Sequence, residues 1–274
     1  MNNVTRESRP AVSIIIVSWN TRELLRECLE SIENAQLRIS NEIIVVDNAS
    51  DDFSQEMTRR DFPRVILIEN RENIGFGKAC NIAMRQAQGE YLLLLNSDTT
   101  IGKDVVEELV RFVNDHPDCG IAGPQLINVD GTVQPSVRNL PTIWRAITEY
   151  WLGRRGSYDF YVPAGNSPTE VESVSGAVMV VSKKAVEHVG MFDPRYFLYF
   201  EDLDWCRRMR GAGYKIYYLP TATVVHHVGA SGRTLGRKTF ELSLKSSRIY
   251  HGRLEAFVIY AILRLFGIWR RLFG

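Results

Sequence analysis

The sequence has few cysteines, almost no net charge and no apolar run long enough to cross a membrane as one helix. Its four cysteines form no CxxC pair and no Cys/His cluster at zinc-ligand spacing, which favours a reduced cytosolic setting. The 33 basic and 32 acidic residues nearly cancel, so overall charge gives no reason to expect nucleic acid as a partner. Residues 1–10 are polar and lack the apolar core of a secretory signal, so we expect a cytoplasmic protein.

The first half of the chain alternates continuous apolar runs with segments of helical period. The 274 residues, 45% of them hydrophobic, suffice for one large domain with a buried core. Apolar runs at 11–19, 42–47, 64–70 and 91–96 predict strands, and residues 21–35, 55–60 and 78–88 predict helices. Strands that are apolar throughout and separated by helices predict a parallel sheet covered on both faces. We therefore expect an α/β fold.

The second half predicts a more mixed set of elements. A DGT turn at 130–132 indicates a hairpin, and residues 154–169 are rich in Gly, Pro and Ser and predict a loop. Further strands are predicted at 174–182, 215–220 and 222–227, with helices at 183–189 and 202–211. The predicted organisation is a polar segment 1–10, a main domain 11–237 with halves 11–124 and 125–237, and a tail 238–274.

Polar residues follow each apolar run of the first half. Ligands of parallel α/β sheets bind at the carboxyl ends of the strands, so these residues are candidates for a binding site. They are Asn20 and Thr21, Asp47 and Asn48, residues 69–73, and Asn96, Ser97 and Asp98.

Asp98 ends the motif LLLLNSD, where its carboxylate can hold a hard divalent cation such as magnesium. The alternative is that Asp98 and Thr99 merely cap a helix that follows them. The motif alone leaves both interpretations open.

Asp47 and Asn48, in VVDNASDD, can bond to a nucleobase edge or a ribose hydroxyl. The alternative is an Asx turn leading into a helix that Ser50 or Asp51 caps. Such a turn does not exclude ligand contact, because ligands sit at turns on this edge of the sheet.

The segment NRENIGFGKACN is a glycine-rich turn between a strand and a helix. It lacks the GxxxxGK[ST] spacing of a phosphate loop, because Phe76 lies between its two glycines. Around Gly75, the side chains of Asn73, Lys78 and Asn81 remain available to phosphate or sugar.

The segment YFLYFEDLDWCRR, residues 196–208, places three carboxylates at the start of a predicted helix. Early acids suit the helix dipole, and Asp204 lies one turn before Arg208, a favourable ion-pair spacing. Aromatic neighbours would raise the pKa of Glu201 or Asp202 toward the range of a general base. One of these two acids is therefore a candidate catalyst.

The segment VVHHVGASGRTLGRK follows a predicted strand with two histidines and a basic, glycine-rich stretch. His226 is a candidate metal ligand, and Arg233, Arg237 or Lys238 could neutralise phosphates as a lid. The alternative is a solvated loop beside a hydrogen-bonded histidine.

Taken together, these segments resemble the family 2 inverting glycosyltransferases of the GT-A fold, especially the rhamnosyltransferase-like branch. The resemblance covers about residues 11–235. It rests on VSIIIVSWN, VVDNASDD, ENIGFGKACN, LLLLNSD, SGAVMVVS, GMFDPRYFLYFEDLDWCRR, GAGYKIYYLP and ATVVHHVGAS, in that order.

The resemblance implies roles for these residues. Asp47 would contact the base of a nucleoside-diphosphate sugar, Asp98 and His226 would hold Mg²⁺ or Mn²⁺ at the diphosphate, and Asp202 would be the base. The other implied donor-site residues are Asn20, Asn48, Asn73, Gly75, Lys78, Asn81, Asn96 and Ser97, and the implied support residues are Gly176, Glu201, Asp204 and Arg208. Many relatives have two successive acids where this sequence has Asp47 and Asn48, and the NSD motif begins with Asn96 where an acid is commoner. Both forms resemble the rhamnosyltransferase branch, which favours dTDP-rhamnose as donor.

The tail segment RLEAFVIYAILRLFGIWRRLFG combines aromatic and aliphatic residues with four arginines. Its longest apolar run is far short of the ~20 residues that span a bilayer. We expect it to lie on the inner face of the cell membrane, bringing the enzyme to a glycan or lipid-pyrophosphate-linked acceptor for cell-surface polysaccharide synthesis. The alternative is packing on the domain or on a second subunit of a homo-oligomer.

Two other functions compete with glycosyl transfer. A sugar-phosphate nucleotidyltransferase would need a basic glycine-rich loop directly after the first strand, and SWNTRELL has none. A non-catalytic nucleotide-sugar-binding or membrane-scaffolding protein would not need Asp98, Asp202 and His226 together.

Overall fold

The computed structural model describes residues 9–227 and 238–273. Arg233 and Arg237, the predicted phosphate lid, lie outside these ranges. The described strands are β1 (Val12–Ser18), β2 (Asn41–Asp47), β3 (Ile66–Glu69), β4 (Tyr91–Asn96), β5 (Thr99–Ile101), β6 (Cys119–Ile127), β7 (Val133–Gln134), β8 (Thr169–Val171), β9 (Val178–Ser182) and β10 (Lys215–His226). The described helices are α1 (Arg22–Ala35), α2 (Ser54–Asp61), α3 (Phe76–Gln86), α4 (Val105–Asp115), α5 (Ile143–Tyr150), α6 (Lys183–Val189), α7 (Glu201–Gly211), α8 (Lys238–His251) and α9 (Arg253–Phe273).

All ten strands join one mixed sheet in the order β3-β2-β1-β4-β9-β6-β10-β5, with β7 paired to β6 and β8 to β10. The strands β3, β2, β1 and β4 are parallel, as the apolar runs predicted. β9 runs antiparallel between β4 and β6, and β10 is parallel to β6 but antiparallel to β5. The α/β prediction is confirmed, and the predicted boundary near residue 125 falls inside β6 of the continuous sheet.

The sheet is covered on both faces because successive side chains of its central strands point to opposite sides. Ile14 and Ile16 of β1 pack in one core with α1 and α4, whereas Ile15 packs in the other core with α3 and α7. Trp205 of α7 is fully buried in that second core, and its indole Nε1–H donates to the carbonyl of Gly190 at 2.8 Å. This packing fixes α7, which carries the acidic segment, against the sheet.

The two proposed helix caps are wrong. Asp98 and Thr99 do not begin a helix, because Thr99 starts the short strand β5 and α4 begins only at Val105. Thr99 is in a strand because β5 pairs with the end of β10, which places Thr99 opposite His226. Ser50 and Asp51 do not cap α2, which begins at Ser54.

Three further differences concern the second half. The segments 215–220 and 222–227 form one strand, β10, whose pairing with β6 shifts register between Leu219 and Thr223. The helix α5 was not predicted, and β8 begins at the end of the segment predicted as a loop. The DGT hairpin is confirmed by the antiparallel pairing of β6 with β7.

The tail forms two helices that pack on the rest of the protein. In α8, the Ser246 hydroxyl donates to the Leu198 carbonyl at 2.8 Å, and the Tyr250 and Phe200 ring centroids are 5.4 Å apart. In α9, the Phe266 ring lies 5.2 Å from the Tyr150 ring of α5. Among the described helices, none is long and apolar enough to cross a membrane.

Candidate active site

Residues from five segments meet in a cavity at the carboxyl ends of the parallel strands. It includes the predicted site residues Asn48, Asn73, Gly75, Asn96, Ser97 and Asp98, together with Val17, Trp19, Phe76, Phe197 and Leu198. Phe197 and Leu198, in the segment that precedes α7, close one side of this cavity. The sheet therefore brings six of the predicted donor-site residues together with the acidic segment.

Asp47 ends β2 with one carboxylate oxygen fully used and the other free. Its Oδ1 accepts from the Ser50 amide at 2.8 Å and from Gln55 Nε2 at 2.7 Å, so the predicted Asx-type turn is present. Its Oδ2 is buried and has no hydrogen-bond partner among the described residues. Burial raises the pKa of Asp47, partly opposed by the bonds from Ser50 and Gln55. A buried acceptor without a partner is suited to receive an N–H from a ligand.

Asn20 holds the turns after β1 and β2 together. It adopts the left-handed conformation with φ of 53°, which asparagine tolerates better than most residues. Its Oδ1 accepts from the Asp51 amide at 2.7 Å, and its own amide donates to Ser50 Oγ at 2.9 Å. Ser50 and Asp51 thus bond across to Asn20 instead of capping a helix.

The predicted donor residues of the glycine-rich turn differ in how free their side chains are. Asn48 donates to the Gly75 carbonyl at 3.4 Å, and Asn73 accepts from the Gly75 amide at 3.0 Å. Lys78 is exposed on α3. Asn81 uses both ends of its amide on the Phe192 backbone, at 2.8 and 3.0 Å, and is buried. Its amide therefore joins α3 to the segment before α7.

Gly75 has a conformation and a position that exclude a side chain. Its φ is +89°, and a Cβ there would collide with the Phe197 backbone, lying 2.9 Å from its Cα and closer still to its carbonyl oxygen. The Phe76 amide donates to this same carbonyl at 2.9 Å. The glycine lets the turn after β3 touch the segment before α7.

The strand pairing of β5 with β10 brings His226 to Asp98. The His227 amide donates to the Asp98 carbonyl at 2.8 Å, and His226 Nε2 lies 3.4 Å from Asp98 Oδ1. On the other side of the ring, His226 Nδ1 lies 3.1 Å from Gln134 Oε1. In the tautomer that donates from Nδ1 to that oxygen, the Nε2 lone pair faces the carboxylate.

Two lone-pair atoms that face each other at this distance fit a shared cation. Ligand bonds of about 2.1 Å at about 90–110° separate neighbouring ligand atoms by roughly 3.0–3.4 Å, which includes the separation of Asp98 Oδ1 and His226 Nε2. Within the described ranges, no group of three or more His, Cys, Asp or Glu side chains could hold a metal. The pair therefore fits a cation that takes its other ligands from water and a bound diphosphate.

Asp202 and Glu201 begin α7 in different surroundings. Asp202 Oδ2 accepts from the Gly176 amide at 3.1 Å, and Oδ1 accepts from the Leu203 amide at 2.8 Å. Burial raises the pKa of Asp202, while these two N–H groups and the charge of Arg138 oppose the rise. A Cβ on Gly176 would come within 3.3 Å of the Asp202 Cβ, so the glycine admits this close approach.

Glu201 is buried, and its Oε2 lacks the hydrogen bonds that the Asp202 carboxylate receives. Its Oε2 has no hydrogen-bond partner in the described structure, and burial, with the neighbouring charge of Asp202, raises its pKa to about 8. Two neighbouring carboxyl groups in unequal surroundings ionise in turn. The two backbone N–H groups stabilise the Asp202 carboxylate and Glu201 Oε2 has no such bond in the part of the chain described, so Asp202 is the more acidic member of the pair and the candidate base.

The turn before α7 is strained and is braced by the tail. Tyr199 and Phe200 both adopt positive φ, 67° and 68°, which costs free energy for bulky residues. Phe200 packs against Tyr250 of α8, and Ser246 holds the Leu198 carbonyl. Sequence reasoning missed these two residues of α8, because nothing near them in the chain points to the segment before α7.

Asp204 and Arg208 form the ion pair that their spacing predicted. Arg208 Nε bonds to Asp204 Oδ2 and Arg207 Nη2 to Asp204 Oδ1, each at 2.8 Å. Arg208 also donates to the carbonyls of Val189 and Met191, at 3.2 and 2.8 Å. This network fixes the first turns of α7 and thereby the direction of Asp202.

The sequence matches a family model described as "Glycosyl transferase family 2" over residues 13–189. The N-acetylglucosaminyl-diphospho-decaprenol L-rhamnosyltransferase of Mycobacterium tuberculosis is 29% identical over 231 residues, covering 78% of this chain and 75% of the relative. The rhamnosyltransferase WbbL of Escherichia coli K12 is 27% identical over 252 residues, covering 88% of this chain and 93% of the relative.

A solved structure also resembles the fold. The mannosyltransferase PcManGT of Pyrobaculum calidifontis, in complex with GDP-Man and Mn²⁺, has a TM-score of 0.62 and 19% identity. The likeness covers 98% of this chain and 77% of that one. At this identity it establishes the fold alone.

Proposed function

The chain belongs to glycosyltransferase family 2, and we propose that it transfers a sugar with inversion, using Asp202 as the general base. It has the GT-A fold, and its relatives include rhamnosyltransferases. The observation that carries the proposed mechanism is the unequal pair at the start of α7. Asp202 is held by the Gly176 and Leu203 amides, and Glu201 retains a proton beside it.

The donor we propose is a nucleoside-diphosphate sugar, with dTDP-rhamnose favoured. The free Oδ2 of Asp47 would accept an N–H of the base, and Asn20 and Asn48 shape the turns around it. The names of the relatives support rhamnose as the sugar. Asn81 is left out of this donor site, because its amide is used within the fold.

Asp98 and His226 would hold a divalent cation, Mg²⁺ or Mn²⁺. Their 3.4 Å separation and the Gln134 contact that orients the imidazole support this assignment. Mn²⁺ is present in the solved mannosyltransferase complex. When bound, the cation would offset the charge that develops on the departing diphosphate.

Asp202 would take the proton of an acceptor hydroxyl as that oxygen attacks the anomeric carbon. One bond forms to the acceptor oxygen while the bond to the diphosphate oxygen breaks on the opposite face, so the configuration inverts. The neutral Glu201 keeps a second negative charge away from this base. The proposed acceptor is a glycan or a lipid-pyrophosphate-linked saccharide, because a relative is named for a diphospho-decaprenol substrate.

Binding and transfer are tested separately. Thermal shifts of the purified protein are measured with nucleotide sugars, with and without Mg²⁺ or Mn²⁺, and metal-dependent stabilisation by dTDP-rhamnose above other donors supports the proposal. Asp202→Asn should keep this stabilisation and lose transfer. If no nucleotide sugar stabilises the protein, the alternative of a scaffolding protein gains support.

We further propose that α9 places the enzyme at an anionic membrane surface. Its residues Leu254, Phe257 and Leu265 are 57–78% exposed, and Arg264 and Arg270 are exposed on the same helix. Because α8 supports the catalytic segment, the test is a chain truncated after Gly252, which keeps α8. Co-flotation of the full chain but not the truncated chain with anionic liposomes supports the proposal; equal flotation of both refutes it.

A further inference from the structure

A second pocket lies between the tail and the catalytic half. Its volume is about 250 Å³, and its lining includes Arg138, Phe200, Leu244, Ala256, Ile259 and Leu263. The aliphatic side of the pocket belongs to the tail helices α8 and α9. Typical small-molecule pockets measure about 300–1,000 Å³, so this one suits a segment of a ligand. Its apolar wall and single arginine suit an anion that is joined to a hydrocarbon.

Arg138 is a half-buried cation without an acidic partner. Its Nε donates to the Tyr158 carbonyl at 2.7 Å, and its guanidinium carbon lies 4.7, 5.6 and 6.0 Å from the rings of Tyr158, Phe160 and Phe200. No carboxylate among the described residues lies within ion-pair distance of it. Asp159 also lines the pocket, but both of its oxygens accept from the Tyr150 hydroxyl. The guanidinium also hydrogen-bonds to the Tyr158 side chain, but no ion pair in the described structure neutralises its charge, so it can attract an anion.

Arg138 is connected to the proposed base through one short backbone segment. Its amide donates to the Ser173 carbonyl at 3.2 Å, and the Ser173 hydroxyl donates back to the Arg138 carbonyl at 2.6 Å. Three residues further along, the Gly176 amide bonds to Asp202. The charge of Arg138 also lowers the pKa of Asp202, in keeping with this proximity. An anion bound at Arg138 would thus lie within electrostatic reach of Asp202.

We propose that this pocket binds the lipid end of the acceptor, with Arg138 at the phosphate of a prenyl diphosphate and the tail helices around the first carbons of its chain. The inference rests on the proposed function for its biological meaning, since a lipid-linked acceptor must present its sugar hydroxyl at Asp202. Planar guanidinium groups bind phosphate oxygens through paired hydrogen bonds. The chemistry that recognises the ligand is an anionic phosphate directly attached to an apolar chain.

The test is calorimetric binding of farnesyl diphosphate to the full chain in EDTA, which removes divalent cations. Farnesol and inorganic pyrophosphate are the matched half-ligands, and we expect each to bind at least tenfold more weakly. Arg138→Gln should weaken farnesyl diphosphate binding about tenfold or more, whereas Arg248→Gln, which removes an exposed arginine of α8, should change it less than twofold. Thermal unfolding of each variant checks its fold.

Two further variants keep the test decisive if Arg138→Gln folds poorly. Arg138→Lys keeps the charge but loses the paired geometry and should bind more weakly than the parent. Leu244→Trp should fill the pocket and weaken farnesyl diphosphate binding while leaving pyrophosphate binding unchanged. The proposal is overturned if dTDP displaces farnesyl diphosphate, which would place the ligand in the donor site, or if these variants bind it as the parent does.

The binding pattern and the proposed function can fail independently. If no assay detects sugar transfer but farnesyl diphosphate binds with the expected pattern, the glycosyltransferase mechanism is refuted and the binding site is still supported. Transfer to a water-soluble acceptor, with no specific farnesyl diphosphate binding, would leave the mechanism and remove the site. Phospholipid micelles that compete as well as farnesyl diphosphate would overturn the assignment to a prenyl ligand.

Discussion

Replacing Glu201 by glutamine should change how the stability of the protein depends on pH. Glu201 is 6% exposed, and its Oε2 has no hydrogen-bond partner within the described ranges. Burial, with the adjacent charge of Asp202, raises its pKa from 4.5 to about 8. The folded protein therefore holds a proton on this carboxyl that the unfolded chain releases at a lower pH.

The size and sign of the effect follow from that difference in pKa. Below pH 4.5 the carboxyl is protonated in both states and contributes no pH dependence. Between pH 4.5 and about 8 the folded state binds one proton more, so the free energy of unfolding falls by about 1.4 kcal/mol per pH unit. The loss reaches at most about 5 kcal/mol by pH 8 and then levels off. Glu201→Gln removes this contribution, so its stability relative to the parent should rise over the same interval.

The measurement is urea unfolding of parent and variant at pH 5.5, 6.5 and 7.5. We expect the variant to gain about 1 kcal/mol or more on the parent with each unit, while Glu187→Gln, which changes an exposed carboxylate on α6, should show a constant difference. A difference between Glu201→Gln and parent that stays flat across this range would mean that the folded protein does not hold the proton. The assignment of Asp202 as the only anion of the pair would then fall.

Three further predictions concern the two sides of the site. Gly75→Ala should lower the free energy of unfolding in urea by more than about 2 kcal/mol, because its φ is +89° and a Cβ would collide with the Phe197 backbone. The control is Gly211→Ala, whose Cβ would enter open space and should not destabilise the protein in this way. Equal effects of the two substitutions would contradict the packing argument. Asp47→Asn should reduce nucleotide affinity about tenfold in calorimetry without lowering stability, because it replaces a buried, unpartnered carboxylate oxygen; unchanged affinity would remove Asp47 from the donor site. Tyr250→Ala should cost about 3 kcal/mol of stability and lower kcat with donor affinity unchanged, and a change confined to donor affinity would refute its link to the base.

Most of the first half of the main domain was predictable because its signals are local. Each apolar run predicted there contains a strand, and most candidate side chains lie at the end of a strand or in the turn after it, as Asp47 does at the end of β2. Parallel pairing then places these residues on one edge without further information. The resemblance to the family also rests mainly on such short segments, and the family match over residues 13–189 confirms it.

The parts that sequence reasoning missed depend on contacts between distant segments. The sequence left helix capping by Thr99 open, but its pairing opposite His226 makes it a strand residue, and the same pairing brings His226 Nε2 to 3.4 Å from Asp98 Oδ1. Gln134, which orients the histidine, sits on the two-residue strand β7 and has no local signal. Arg138 is one of many arginines in the sequence, and only its surroundings of aromatic rings and aliphatic helix surface distinguish it.

The tail shows why a division by sequence alone is incomplete. Its arginines and aromatic residues favoured membrane binding over packing on the domain, yet α8 contacts the strained turn directly before Glu201 and Asp202. Positive φ at both Tyr199 and Phe200 persists only where surrounding contacts outweigh its cost. Because α8 supplies such contacts on one side and α9 continues from it, a force or ligand that moves the tail would act on the position of Asp202.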